Sequence, residues 1–144
     1  MYELRPMILF LLVILIGEVS SSQADFWQRT NGPYGGGVGS LVIDSDGQVL
    51  AGTSGGFYRS TNLGESWQQF NSGFRSPAVH CVALGSTGSV FVGTVSGVYR
   101  STDIGGTWTY VDVGATDTNF LAIAANPSGV VVAFPTILFF CASM

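Results

Sequence analysis

Short apolar runs separated by glycine-containing turns recur along residues 38–134 of the chain. Runs of this length, with turn signals about every ten residues, predict antiparallel β-hairpins. Each unit is expected to hold four strands, named a to d in chain order. Strand a is predicted at Val38–Asp44, Ala78–Leu84 and Asn119–Ala125, strand b at Gln48–Thr53, Ser89–Thr94 and Val130–Phe134, strand c at Phe57–Thr61 and Val98–Thr102, and strand d at Trp67–Phe70 and Trp108–Val111.

The pattern repeats with a period of about 41 residues, a length typical of repeat architectures. Residues 41–67 and 82–108 align without a gap, and 12 of the 27 positions are identical. A third copy begins at the same spacing, because Gly47, Gly88 and Gly129 are equally spaced. A four-stranded sheet of this size cannot bury both faces alone, so the units must stack against one another. The period therefore predicts an all-β chain of four-stranded antiparallel β-propeller blades.

The number of units is too small for a closed ring. Propellers have about 4–8 blades, and residues 25–134 hold about three units. Residues 26–29 resemble residues 66–69, which predicts a lone strand d before the first unit. The third unit departs from the repeat at Phe134-Pro135, and residues 135–144 are an atypical apolar tail. We expect an incomplete ring from a truncated chain or a fragment, and assembly of two chains into one ring is the alternative.

A second motif lies between strands c and d of both complete units. Both copies fit Ser-x-Asp/Asn-x-Gly-x-Ser/Thr-Trp, in which Asp or Asn can accept turn N–H groups and Gly allows a left-handed step. The motif resembles the Asp-box, or BNR repeat, of sialidase-like propellers. The wider pattern over residues 26–134 is similar to BNR-repeat, sortilin-type and photosystem II assembly factor-like proteins. The resemblance implies a structural role for the Asp-box residues, which are Ser60, Asn62, Gly64, Trp67, Ser101, Asp103, Gly105 and Trp108.

Residues 1–24 have the pattern of a secretory signal peptide. Arg5 precedes the apolar run from Met7 to Ile16, and small residues at Ser22 and Ala24 suit a cleavage site. The run is too short for a bilayer span of about 20 residues. We expect cleavage after Ala24 and a secreted or periplasmic chain without a stable membrane span, with a retained anchor as the alternative. Export permits disulfides, but the chain has only two cysteines, at positions 81 and 141, which we expect to remain unpaired.

The charge of the chain excludes one class of partner. Five basic residues, all arginine, stand against nine acidic residues, so the net charge is −4. A nucleic-acid-binding protein normally carries a basic stripe, so nucleic acid is not an expected partner.

No catalytic set is recognised. The enzymes of the resembled family use an arginine triad, a tyrosine–glutamate nucleophile pair and an acidic general acid. Arg59 and Arg100 are equivalent in the repeat, which favours a structural role, and Glu65 lies inside an Asp-box turn. Residues 44–47 begin like a calcium loop but lack its further ligands, and the single histidine, His80, cannot form a zinc site alone. We therefore expect no catalytic residues, no cofactor and no metal.

Propeller geometry points to one face for ligand binding. The d–a and b–c loops share the face opposite the Asp-box turns, where exposed aromatic rings beside an arginine suit sugar or peptide ligands. The predicted function is a secreted, non-enzymatic binding or scaffold module for a carbohydrate or protein ligand, and self-association is a further option. The alternatives are a fragment of a sialidase-like or xyloglucan-hydrolysing glycosidase and a piece of a sensor or receptor ectodomain. The candidate ligand-binding residues are Tyr34, Phe74, Arg75, Asp117 and Asn119.

Overall fold

A computed structural model describes residues 30–136, except Gly35 and Pro127, together with the backbone of residues 140–143. The predicted signal peptide at residues 1–24 and the predicted lone strand at residues 26–29 lie outside the described residues. Within the described part of the chain, no helix is both long and apolar enough to cross a bilayer. The helical segment there is a single 3-10 turn at Ser86–Gly88.

The described strands form three antiparallel sheets that follow one another along the chain. The first sheet has the order β1-β2-β3-β4, the second β5-β6-β7-β8, and the third β11-β10-β9. The all-β prediction is confirmed, and the three sheets described here do not close a ring. The strands are β1 (Val38–Ile43), β2 (Val49–Thr53), β3 (Gly56–Ser60), β4 (Gln68–Gln69), β5 (Val79–Leu84), β6 (Val90–Thr94), β7 (Gly97–Ser101), β8 (Thr109–Val111), β9 (Phe120–Ala125), β10 (Val130–Pro135) and β11 (Phe140–Ser143).

The first two sheets are copies of one another in register. Tyr58 on β3 lies opposite Ala51, and Tyr99 on β7 lies opposite Val92, one repeat period further along the chain. Both copies of strand a also carry an irregularity at the same place, after Val38 in β1 and after Val79 in β5. The sequence repeat is therefore a structural repeat, and equivalent residues can be compared directly.

The third sheet contains a strand in the position of strand c. Strand β11 pairs antiparallel with β10, and Val132 lies opposite Cys141. On the other side of β10, β9 completes the sheet, with Ile123 opposite Ala133. Residues 140–143, in the predicted apolar tail, thus form the third strand of this sheet, where strand c lies in the first two sheets.

The core lies between successive sheets. Glycines on strand b allow this contact, because a Cβ on Gly52 would lie 2.7 Å from Val79 and one on Gly93 would lie 2.9 Å from the Cβ of Phe120. In each case strand b of one sheet approaches strand a of the next. Burial of apolar area at these contacts is the main driving force for stacking the sheets. The cluster around the first two sheets contains Leu50, Phe57, Val79, Val82, Val90, Val92, Tyr99 and Trp108, and the second cluster contains Val98, Phe120 and Ala133.

Candidate ligand-binding face

The c–d turn of the second sheet is held by its own side chains. The hydroxyl of Ser101 donates to Oδ1 of Asp103 at 2.6 Å and accepts from the N–H of Gly105 at 2.7 Å. The same carboxylate accepts the N–H and the hydroxyl of Thr107, both at 2.9 Å. The bonds from Ser101 and Thr107 favour the charged form, so they lower the pKa of Asp103 to about 2. The carboxylate is thus engaged in holding the turn.

The first c–d turn repeats this arrangement with an amide in place of the carboxylate. Ser60 donates to Oδ1 of Asn62 at 2.9 Å, and its hydroxyl accepts the N–H of Gly64 at 2.8 Å. Oδ1 of Asn62 accepts the N–H of Ser66 at 2.9 Å, and its amide donates to the hydroxyl of Ser66 at the same distance. One geometry therefore serves both Asp and Asn at this position.

Two consecutive residues in each c–d turn have positive φ. The glycines have values of 93° at Gly64 and 86° at Gly105. The residues before them, Leu63 and Ile104, also lie at 56° and 53°. From the sequence, only the glycines are expected in the left-handed conformation, because positive φ is sterically unfavourable for leucine and isoleucine. The hydrogen bonds to Ser60 and Ser101 hold the turn in this shape.

The opposite face carries two exposed side chains at equivalent positions of the repeat. The carbonyl of Tyr34 accepts the hydroxyl of Tyr58 at 3.2 Å, and the N–H of Arg75 donates to the hydroxyl of Tyr99 at 3.2 Å. The side chain of Tyr34 is 82% exposed. Arg75 is exposed as well, with its guanidinium carbon 5.2 Å from the ring centroid of Tyr110. A repeated pair of buried tyrosines thus fixes the backbone that presents these two side chains.

Phe74 has a different environment from Tyr34 and Arg75. It is half-buried, and its ring centroid lies 5.1 Å from that of Tyr99 and 5.0 Å from that of Trp108. These are the distances of packed aromatic pairs. Phe74 therefore supports the loop from the core side and does not present a free ring.

Buried polar atoms that have no hydrogen bond to a described residue lie at the end of the sheets that carries Tyr34 and Arg75. Asp117 accepts the N–H of Asn119 through Oδ1 at 3.0 Å, whereas its Oδ2 is buried and has no hydrogen bond to a described residue. Oδ1 of Asn119 and Nδ1 of His80 are likewise buried and unpaired within the described residues. His80 lies near the start of β5, and Asn119 directly precedes β9, so both belong to the d–a end. Buried polar atoms of this kind usually have water or a ligand as partner.

The carboxylate of Asp44, in the segment that begins like a calcium loop, has a structural role in the a–b turn. Oδ1 of Asp44 accepts the N–H groups of Asp46 and Gln48 at 2.9 and 2.8 Å, which closes the a–b turn. Over the described residues, no group of three or more His, Cys, Asp or Glu side chains could hold a metal.

Burial raises the pKa of the free Cys81 thiol to about 11. The side chain of Cys141 is outside the described part of the structure.

Sequence reasoning missed a cleft of about 430 Å³ on the outer edge of the second sheet. Its lining includes Arg100, Thr107, Tyr110 and Asp112. In the sequence, Arg100 is marked only as the repeat equivalent of Arg59, and this equivalence does not predict an open cleft.

Comparison with known proteins supports the fold. No protein-family model matches the chain, and no curated protein matches it. Among solved structures, an ancestral GH74 enzyme superposes with a TM-score of 0.60 at 32% identity, over 76% of this chain and 15% of that one. PorZ, an essential surface component of the type-IX secretion system of Porphyromonas gingivalis, has a TM-score of 0.62 at 12% identity, over 74% and 17% of the two chains.

YCF48 from Cyanidioschyzon merolae has a TM-score of 0.56 at 20% identity, over 80% of this chain and 39% of that one. A YCF48 structure with a bound D1 peptide has a TM-score of 0.51 at 22% identity, over 69% and 33%. The chain thus spans between 15% and 39% of the length of these proteins.

Proposed function

The chain belongs to the sialidase-like, BNR-type group of β-propeller proteins, and on this basis we propose that it is a secreted, non-enzymatic module that binds a protein segment. The proposed site is the face formed by the d–a and b–c loops. The observation that carries the proposal is the presentation of Tyr34 and Arg75 at equivalent positions of adjacent sheets.

The chemistry of this face suits an extended peptide. Tyrosine and arginine are enriched among the residues that dominate protein interfaces. Hydrogen bonds to the buried Tyr58 and Tyr99 fix the loop backbone at both residues, so little backbone entropy is lost when a ligand binds. The D1 peptide bound to YCF48 gives a precedent for a peptide ligand on a related fold.

A glycosidase fragment is the second candidate, and the 32% identity with an ancestral GH74 enzyme favours it. Glycoside hydrolysis needs two facing carboxyl groups, one of them protonated near neutral pH. Asp103 does not suit the role of proton donor, because its pKa is lowered to about 2. Glu65 is exposed in a c–d turn, at the end opposite the d–a loops. These placements support the binding role over hydrolysis.

The experiment uses a displayed library of random peptides as the binding probe and xyloglucan as the substrate probe. We expect selected peptides to bind the chain, and Tyr34→Ala and Arg75→Ala to weaken binding by about tenfold or more. The control is Gln68→Ala, an exposed position on the outer strand β4, which should bind as the unmodified chain does. Selected peptides that bind all variants equally would refute the proposed face. Release of reducing sugar from xyloglucan would establish the glycosidase instead, and binding of xyloglucan without cleavage would identify a carbohydrate as the ligand.

A further inference from the structure

Asn31 differs from the other asparagines of the chain in the residue that follows it. The chain has five asparagines; Asn31 precedes a glycine, and the other four precede Leu, Ser, Phe and Pro. Asparagine is a thermolabile residue, because the backbone nitrogen of the next residue can attack its side-chain amide carbon. A glycine in that position has no Cβ to obstruct the approach. In this chain, the reaction therefore meets the least steric hindrance at Asn31-Gly32.

The local structure leaves the nitrogen of Gly32 free to react. The side chain of Asn31 is exposed, and no described residue accepts a hydrogen bond from the N–H of Gly32. Gly32 has a φ of 55°, and apart from its chain neighbours no atom lies within 4 Å of the place that a Cβ would take. Neither packing around Gly32 nor a hydrogen bond to a described residue thus holds its nitrogen away from the amide carbon of Asn31.

Asn71 shows the opposite environment for an asparagine side chain. Its Oδ1 accepts the N–H of Phe57 at 3.0 Å, and its Nδ2 donates to the carbonyl oxygen of Gly55 at 3.2 Å. Both ends of this amide are therefore held, and the following residue, Ser72, carries a Cβ. The chain thus offers a matched asparagine that is fixed where Asn31 is free to reach the next nitrogen.

The amide of Asn31 holds residues 30 and 31 against the first c–d turn. Its Nδ2 donates to the carbonyl oxygen of Glu65 at 3.0 Å. Beside this bond, a Cβ on Gly64 would lie 3.2 Å from Cγ2 of Thr30. The donor in this contact is the group that deamidation removes, since Nδ2 leaves as ammonia. A carboxylate in its place has only acceptor atoms.

We propose that Asn31 is a site of spontaneous deamidation in the folded chain, and that the product releases residues 30 and 31 from the first c–d turn. The nitrogen of Gly32 loses its proton and forms a bond to Cγ of Asn31, while the Cγ–Nδ2 bond breaks and ammonia leaves. Water then opens the resulting cyclic succinimide at either carbonyl, which gives isoaspartate or aspartate. Both products bring a carboxylate to the carbonyl oxygen of Glu65, so two acceptors meet without a donor and the contact is lost.

Tryptic mapping of the full folded chain, after incubation at mildly alkaline pH, tests the modification. Cleavage after arginine places Asn31 as the only asparagine of fragment 30–59, and Asn62 and Asn71 in fragment 60–75. We expect fragment 30–59 to gain about 1 Da over time, while fragment 60–75 keeps its mass. Gly32→Ala should lose the conversion, and so should Asn31→Gln, which excludes Gln48 as its source. If fragment 30–59 keeps its mass, or if both fragments convert at the same rate, the proposal is overturned.

Asn31→Asp tests the release of the contact, because it places one of the product carboxylates in the chain directly. The variant should fold, since the hydroxyl of Tyr58 still holds the carbonyl of Tyr34 further along the segment. We expect its thermal midpoint to be about 2–4 °C lower. Asn126→Asp is the matched control: Oδ1 of Asn126 accepts the N–H four residues on, as the carboxylate of Asp44 does at the equivalent position, so its midpoint should not change. An unchanged midpoint for Asn31→Asp, or an equal fall for both variants, overturns the release.

Discussion

The indole nitrogen of Trp108 donates a hydrogen bond of 3.0 Å to the carbonyl oxygen of Phe70. The two residues belong to neighbouring sheets, so the bond ties the c–d turn of one sheet to the end of strand d in the other. The ring of Trp108 also makes an edge contact with Phe57, with ring centroids 4.8 Å apart. Trp67, at the same position of the repeat, bonds to its own turn instead. One position of the repeat thus has two different hydrogen-bond partners, the neighbouring sheet for Trp108 and its own turn for Trp67.

Trp108→Ala should destabilise the chain far more than Trp67→Ala. Trp108 is 6% exposed, and its removal leaves a cavity between the sheets, with an expected loss of about 3–5 kcal/mol in the free energy of unfolding. Trp67 is half-buried, so its loss should cost about 1–2 kcal/mol. Urea unfolding followed by far-ultraviolet circular dichroism measures both values. Equal losses would show that Trp108 does not hold the sheets together.

Gly105→Ala should lower the free energy of unfolding for two reasons, and Gly114→Ala serves to separate them. Gly105 has a φ of 86°, and a Cβ there would overlap the ring of Phe57. The left-handed conformation should cost about 1–2 kcal/mol, and the overlap about 1–3 kcal/mol more. Gly114 has a φ of 68° and no atom within 4 Å of the place that a Cβ would take, so Gly114→Ala should show the first cost alone. Thermal unfolding of both variants gives the difference, and similar losses would argue against tight packing at Phe57.

The thiol of Cys81 should react slowly in the folded chain. Burial raises its pKa from 9.0 to about 11, so the reactive thiolate near pH 8 is about 100-fold scarcer than in the unfolded chain. A Cys141→Ser variant leaves Cys81 as the only thiol. We expect its reaction with an aromatic disulfide reagent to be at least about 100-fold slower in buffer than in denaturing urea. Comparable rates in the two solutions would contradict the burial of Cys81.

Much of the fold could be predicted from the sequence because the repeat presents the pattern of each strand and turn at least twice. Strand a is expected at residues 78–84 and is found at Val79–Leu84, and strand b, expected at residues 89–94, is found at Val90–Thr94. Turn glycines and apolar runs are local signals, and their recurrence at a constant spacing removes most ambiguity. The same signals locate the irregular c–d turns, since Gly64 and Gly105 mark them.

Contacts between sheets could not be predicted in the same way. Sequence reasoning groups Phe74 with Tyr34 among the side chains of the ligand-binding face, but the ring of Phe74 packs on Tyr99 and Trp108. Which side of a loop residue meets the core depends on the relative position of two sheets, and a hydropathy pattern does not contain that information. The cleft beside Arg100 could not be predicted for the same reason, because the repeat makes Arg100 equivalent to Arg59 and conceals the difference in their neighbours.

Asp103 should make the stability of the chain depend on acid pH. Its pKa is lowered from 3.8 to about 2 in the folded chain, mainly by the bond from Ser101. A carboxyl group with a lower pKa in the folded state binds protons more readily when unfolded, so its stabilisation is fully present above about pH 4 and is lost as the pH falls through about 2. Asp103→Asn should therefore flatten the fall of the urea midpoint over this range, because Asn62 shows that the turn accepts an amide. Asn62→Asp should steepen the fall by building a second carboxylate of the same kind. Carbon-detected NMR titration of the Asp103 carboxyl gives the pKa directly, and a value near 3.8 would mean that Ser101 and Thr107 do not hold its charged form.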